Sequence, residues 1–179
     1  MTVVDYDPSW PAQFEILRSR IWGAVGDLAV SVEHVGSTSV PGLAAKPIID
    51  IDVVVPSIAD VGMVIERLAT LGYRQRGDLG IEGREAFESP SGLPAHHLYA
   101  CVRGSTALNN HLTVRDWLRR DPAAAAQYGL LKKRLAEFSP TDMDKYIAGK
   151  TGFLLGVLRK AGFPEHALTA IAEVNRRDP

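Results

Sequence analysis

Cysteine is nearly absent. Cys101 stands alone among 179 residues, which excludes an internal disulfide and any multi-cysteine zinc site. It falls in an apolar, strand-like run, where the expected state is a buried, inert thiol. No apolar run approaches the roughly 20 residues needed to span a bilayer. The first ten residues, with Asp5, Asp7 and Pro8, lack the basic and then apolar leader of a secretory signal. Both absences lead us to expect a cytoplasmic protein with no membrane partner. An excess of either charge is missing as well: 20 Lys and Arg face 21 Asp and Glu, for a net charge of -1. Such a field does not support tight nonspecific duplex binding, so no nucleic-acid partner is expected. There is no repeat or low-complexity tract beyond Ala123 to Ala126, which is simply strong helix-forming sequence.

What is present fits an ordinary folded domain, with 46% hydrophobic and 23% charged residues. Ser9 is placed to cap a helix with Pro11 in its first turn, and Phe14, Leu17, Ile21, Val25 and Leu28 recur on one face. Val30 and Val32 alternate with Ser31 and Glu33 before Gly36-Ser37-Thr38-Ser39, which reads as a short strand entering a turn. Ile48 to Val55, bounded by Pro47 and Pro56, is a β-branched strand. Ser57 then caps a predicted helix with Ile58, Val61, Ile65, Leu68 and Leu71 as its stripe and Gly72 just past its end. Weaker strands are expected around Tyr73 to Gln75 and Arg84 to Glu88, and a stronger one over His96 to Val102. After Thr106 the period is helical, with breaks at Pro122, Pro140 and Pro164. This order predicts an α+β (mixed α/β) architecture, with a core over 1–105 and a helical C-terminal subdomain over 106–179 packed on it.

The chemistry-bearing pattern begins with Asp50 and Asp52. Two residues apart on a strand, they share one face, while Ile49, Ile51, Val53 and Val55 take the other. Two carboxylates in one small volume repel, and require metal, Arg or Lys as compensation. Upstream, Gly36 and Ser37 offer close backbone approach, free N–H groups and a hydroxyl, which suit phosphate oxygens. A metal on the acids is then placed to bridge to phosphate held by the turn. The segment is not a P-loop, because Gly42 is followed by Leu43-Ala44-Ala45 and Lys46 precedes a proline and a strand; Lys46 either approaches phosphate or is a solvated loop lysine.

The stretch from Glu33 to Ile51, reading EHVGSTSVPGLAAKPIIDI, resembles the signature of the GrpB family within the nucleotidyltransferase-fold superfamily. The likeness extends through Tyr6 to Pro11, His96-His97-Leu98, Arg115 to Arg119 and Lys150 near Phe153. A similar domain is appended to dephospho-CoA kinase in some bacteria. The resemblance implies a nucleotidyltransferase-like sheet with flanking helices, Gly36 and Ser37 as phosphate-binding turn, and Asp50 and Asp52 as catalytic, metal-binding carboxylates. It implies Mg²⁺ or Mn²⁺ as cofactor, a nucleoside triphosphate, and transfer of its NMP to a small-molecule acceptor. The alternative is a degenerate module that binds a nucleotide or CoA precursor without turnover.

One departure from the superfamily pattern is expected to matter. The later strand carries His96, His97 and Tyr99 and no third acid. His97 is the candidate replacement as metal ligand, with Glu85 or Glu88 as further options. His96 and His97 must face opposite sides of their strand. His111 and Arg115, one helical turn apart, and Lys150 are candidate phosphate or substrate contacts, with a solvated basic face as the competing reading. Arg119-Arg120 and Lys132-Lys133-Arg134 are interspersed with leucines and are expected on solvent-facing helix sides.

Overall fold

The computed structural model describes residues 2–138 and 140–177. The first helix, α1 (Trp10–Val25), buries Trp10, Phe14, Leu17, Ile21 and Val25 on one side. Ser9 takes the N-cap position, but its hydroxyl accepts from Gln13 Nε2 at 3.0 Å and not from a backbone amide. Five strands follow the predicted order: β1 (Ser31–Val35), β2 (Ile49–Val55), β3 (Arg74–Gly77), β4 (Arg84–Glu88) and β5 (His96–Val102). Between β2 and β3 lies α2 (Val61–Thr70). Its stripe starts at Val61, because Ile58 belongs to a preceding 3₁₀ turn and is 72% exposed, with Ser57 Oγ donating to Asp60 Oδ2. Gly72, at φ 91°, ends that unit in the left-handed conformation expected of it.

The strands form one sheet in the order β1-β2-β5-β4-β3. β2 and β5 run parallel at its centre and every other pair is antiparallel. The alternation of β2 sends Ile49, Ile51, Val53 and Val55 into a core with α1 and α2, joined from β5 by Leu98 and Ala100. Each such fully buried side chain contributes about 1.5–3 kcal/mol of transfer free energy. The opposite face carries Asp50, Asp52 and Val54 of β2, and β5 adds His97, Tyr99 and Cys101 there.

Helices α3 (Thr106–Arg120), α4 (Pro122–Phe138), α5 (Met143–Lys160) and α6 (Glu165–Arg177) complete the chain, with Pro140 in the link from α4 to α5. Ser105 and Asp142 cap α3 and α5 by accepting from Leu108 N and Lys145 N. α3 lies over the second face, where Leu108 and Leu112 meet Val54, Tyr99 and Cys101. Val40 and Leu43 enter a separate cluster with Leu118 of α3, Ala125 and Tyr128 of α4 and Phe153 of α5. The helices are thereby fixed to the segment between β1 and β2. Among the described residues no helix is long and apolar enough to cross a membrane.

His34 of β1 ties α1 to the turn that follows β1. Its ring stacks on Phe14 with centroids 4.6 Å apart, and its Nε2 lies 3.0 Å from Thr38 Oγ1. Because Thr38 donates to the Ile48 carbonyl, the histidine serves as donor and is held neutral. Burial pushes its pKa down to about 4 from an ordinary 6.5. A histidine depressed in the folded state binds protons more readily when unfolded, so its stability contribution is complete above pH 6.5 and is lost as pH falls towards 4. Urea denaturation is expected to show a His34-linked loss approaching 1.4 kcal/mol per pH unit between pH 6.5 and 4.5 and none above it, read as the difference from His34→Gln because the raised His111 acts in the opposite direction. His96, also lowered by burial, acts in the same direction, and His34→Gln should flatten the dependence.

Candidate functional site

The site begins where β1 stops. Val35 pairs with Asp50 across the β1–β2 ladder, so the turn after β1 starts beside that aspartate. Gly36 adopts φ 68°, ψ -171°, a region open essentially to glycine alone. A Cβ there would stand 2.1 Å from Asp50 Oδ2 and 2.9 Å from Asp50 Cβ. The aspartate thus lies directly over the glycine backbone. A 3₁₀ turn over Ser37–Ser39 follows. Thr38 and Ser39 are buried and spend their hydroxyls on the Ile48 and Gly36 carbonyls. Ser37 is only half-buried, and its Oγ accepts a 2.6 Å hydrogen bond from Lys132 Nζ of α4.

The two aspartates share the face predicted for them but occupy different depths. Asp50 retains 31% side-chain exposure, whereas Asp52 has none. Each meets one histidine: His97 Nδ1 lies 3.0 Å from Asp50 Oδ1, and His111 Nδ1 of α3 lies 2.8 Å from Asp52 Oδ2. Burial opposes a charge on His111, but the Asp52 carboxylate and its hydrogen bond outweigh it and raise the pKa. No Lys or Arg forms an ion pair with either aspartate among the described residues. Asp52 Oδ1 is buried without a well-formed hydrogen bond.

His96 points to the other face, between the Tyr73 hydroxyl and the Pro94 carbonyl at 2.7 Å each. Glu85 accepts from Gln75 and Glu88 pairs with Arg74 on the distal strands, so neither joins the aspartates. The site face of β5 offers His97, Tyr99 and Cys101 in place of a third acid.

Three lysines approach from the loop and helices. Lys132 is 2% exposed and packs over the Tyr128 ring at 4.6 Å. This overturns the expectation of a solvent face at Lys132, whereas Arg134 is exposed as expected and Lys133 is half-buried against Asp5. The buried stripe of α4 is Ala125, Tyr128, Gly129, Lys132 and Ala136, and its small and aromatic members at helical spacing were the available signal. Burial, followed by the charge of Lys150, pulls the Lys132 pKa down to about 7, while Asp50 opposes the fall. Lys46 and Lys150 place their ammonium groups 4.5 and 5.3 Å from the Tyr146 ring centroid. Burial lowers the pKa of Lys46, against the attraction of Asp50.

Arg115 and Arg119 brace the rear of the turn. Arg115 donates to Glu33, Asp116 and the His34 carbonyl, and Arg119 makes two hydrogen bonds to the Ser39 carbonyl. Arg119 and Arg120 are exposed, as expected from the sequence, but the Arg119 guanidinium also clamps the turn through Ser39. Of the other candidate phosphate contacts, Lys46 and Lys150 lie near Ser37 and Lys132, whereas His111 is engaged by Asp52.

Comparison with known proteins places this geometry. The GrpB protein family profile matches residues 1–160, and the chain belongs to the GrpB family. It is 36% identical over 148 residues to the UPF0157 protein YqkA of Bacillus subtilis, covering 83% of this chain and 43% of that protein. It is 31% identical over 184 residues to a dephospho-CoA kinase of Mycolicibacterium paratuberculosis, covering 89% of this chain and 45% of the kinase. The chain thus spans under half the length of both relatives. Among solved structures it is similar to the conserved protein GrpB from Enterococcus faecalis, with TM-score 0.80, 35% identity and coverage of 94% and 98%. It also matches the Cid1 poly(U) polymerase bound to MgGTP, with TM-score 0.55, 13% identity and coverage of 85% and 50%. The fold is that of the nucleotidyltransferases.

The Gly36–Asp50 contact makes a direct prediction. Gly36→Ala forces a strained backbone, costing about 1–3 kcal/mol, and drives a methyl group into Asp50, costing a similar amount. Urea denaturation should register a loss of at least about 2 kcal/mol; a variant within about 0.5 kcal/mol of the parent would show that the turn tolerates a side chain.

Proposed function

We propose that this protein is a metal-dependent, nucleotidyltransferase-like enzyme that binds a nucleoside triphosphate and transfers its NMP to a small-molecule acceptor. The observation that carries the reading is the contact of the Asp50 carboxylate with Gly36, next to a Ser37 already engaged by buried Lys132. Carboxylates and a phosphate-type turn then belong to one site, with Lys46 and Lys150 beside it. Gly36 lets the turn pass beneath the Asp50 carboxylate, Ser37 and Lys132 supply donors to a phosphate oxygen, and the lysines neutralise its charge.

Asp50 and Asp52 are the ligands for Mg²⁺ or Mn²⁺, with His97 in the place of a third acid. The Asp52 Oδ1 without a well-formed hydrogen bond, and the lack of a Lys or Arg ion pair on either carboxylate among the described residues, fit a site built to receive a cation. When bound, the ion would neutralise phosphate charge and orient the triphosphate. His97, 54% exposed beside Asp50, donates from Nδ1 to Asp50 Oδ1, which leaves Nε2 to ligate or to accept a proton.

A second reading is favoured by one feature: Asp52 is wholly buried and hydrogen-bonded to His111, and β5 carries no acid. This describes a module that binds a nucleotide or CoA precursor without turnover, consistent with the similarity to part of a dephospho-CoA kinase. Pyrophosphate release across a panel of hydroxyl- and amine-bearing metabolites separates the two, since the enzyme releases it and the module does not.

Calorimetric titration of ATP, GTP, CTP and UTP with metal should give binding that Asp50→Asn abolishes. Mn²⁺ should be preferred over Mg²⁺, because imidazole is a poorer ligand for the harder ion, and His97→Ala should erase that preference. Binding unchanged in Asp50→Asn would remove the metal assignment.

Triphosphate affinity should also depend on Lys132. An anion beside this lysine raises its pKa from about 7, so binding takes up a proton above that pH. Affinity is then fully developed below pH 7 and declines above it, approaching tenfold per pH unit. Lys132→Met should weaken binding and flatten the profile between pH 7 and 9.

A further inference from the structure

Behind Asp50 lies a second group of side chains that the nucleotide reading does not use in full. Asp52 of β2, Cys101 of β5 and His111 of α3 each present one ligand atom, and the three atoms lie within 4.8 Å of one another. Asp52 and Cys101 are completely buried. We propose that Asp52, Cys101 and His111 form a binding site for a borderline-soft divalent cation of the Zn²⁺ class, with one carboxylate oxygen, one thiolate and one imidazole nitrogen as ligands. The site shares Asp52 with the proposed nucleotide site but does not depend on nucleotide binding.

Two independent features point to a missing cation. The first is the buried Asp52 carboxylate, whose Oδ1 makes no well-formed hydrogen bond and which meets, besides His111, only the weakly donating Cys101 thiol. A buried carboxylate oxygen compensated this weakly is costly unless a positive centre faces it. The second is the meeting of three ligand types from three separate elements. Zn–N and Zn–O bonds of about 2.0–2.1 Å at tetrahedral angles need ligand separations near 3.3 Å, and a Zn–S bond of about 2.3 Å widens this slightly. The present His111 Nδ1 to Asp52 Oδ2 distance of 2.8 Å therefore has to open by about half an ångström, while the 4.8 Å envelope already holds the thiol.

Charge balance favours the exchange. Loading releases the Cys101 proton as the thiolate forms, and one dication then faces a carboxylate and a thiolate, for a net charge of zero. No additional charge has to be buried. The ligand set also selects the ion, since thiolate and imidazole suit Zn²⁺ or Co²⁺ and disfavour Mg²⁺. His111 has 26% of its side chain exposed and lines a cavity of about 750 Å³ with Ile81, Val102, Asn110 and Ile171, which provides a route of entry.

The test is to strip the whole protein with chelator and titrate it with Co²⁺ in the absence of nucleotide. The expected result is a visible tetrahedral spectrum with a near-ultraviolet thiolate-to-cobalt band, displaced by Zn²⁺ and untouched by excess Mg²⁺. Cys101→Ser, nearly isosteric, should lose the thiolate band and weaken Zn²⁺ binding by at least roughly 100-fold, the upper range for loss of a supporting group alone. Asp50→Asn should keep the band while losing metal-dependent nucleotide binding, so failure of one reading is distinct from failure of the other. A thermal melt of the unmutated protein should rise with Zn²⁺ more than with Mg²⁺. Co²⁺ binding without a thiolate band, or equal Zn²⁺ affinity in the parent and Cys101→Ser proteins, would overturn the proposal.

Discussion

The candidate site depends on the pairing of β1 with β2, and above all on Val35 standing opposite Asp50. That register ends β1 where its next residue must pass beneath a carboxylate, and the 2.1 Å approach of a hypothetical Cβ leaves glycine as the fitting residue. A shift of one residue in this ladder would turn Asp50 and Asp52 towards α1 and α2 and place Ile49 and Ile51 under α3. The apolar core and the polar site are two faces of the same alternation. Pressure to keep Ile49, Ile51, Val53 and Val55 dry also holds the acids in place. Stability and site geometry are therefore one constraint in β2.

The second organising feature is the layering of charge across that face. At the turn, Lys132 is almost fully buried yet donates to Ser37, and the nearby ammonium groups of Lys46 and Lys150 lie against tyrosine rings. Deeper along β2, Asp52 is balanced by His111. Between these layers Asp50 touches both the glycine turn and His97. The helices reach this arrangement because Val40 and Leu43, between β1 and β2, insert into the cluster of α3, α4 and α5. That insertion draws the buried stripe of α4 towards the turn, and with it the one lysine the stripe contains.

Much of this was legible in the sequence wherever a short-range period carries the information. The strict alternation of β2 gave the shared face of Asp50 and Asp52, and the same rule sent His96 and His97 to opposite sides. Prolines at 122 and 164 delimit helices by local chemistry. The Lys132 contact was not legible, because a Lys-Lys-Arg run on an amphipathic helix ordinarily faces water. Only the distant Val40 to Leu43 segment decides which of the three turns inward. The Arg119 clamp was missed for the same reason, since its acceptor, the Ser39 carbonyl, is 80 residues away. The pairing of His111 with Asp52 spans 59 residues, and no local pattern encodes it. Ile58 shows the opposite failure: it continues the apolar period of α2, but the 3₁₀ turn before that helix rotates it into solvent.

The presence of histidines, and of no further acid, beside Asp50 and Asp52 sets the charge balance of this face. Three ionised carboxylates in one cleft would repel a triphosphate until metal neutralised them. Here two carboxylates each have an imidazole partner, and the deeper one is compensated by a histidine that its charge helps to protonate. Three lysines approach from the other side, one of them held near neutrality by burial and by its neighbours. The balance at the mouth therefore leans towards positive charge, and increasingly so as Lys132 takes up its proton. Under the proposed function, such a site would admit a phosphate first and gain cation affinity from the oxygens the phosphate brings. Control of charge in this cleft then lies with the helices as much as with the sheet.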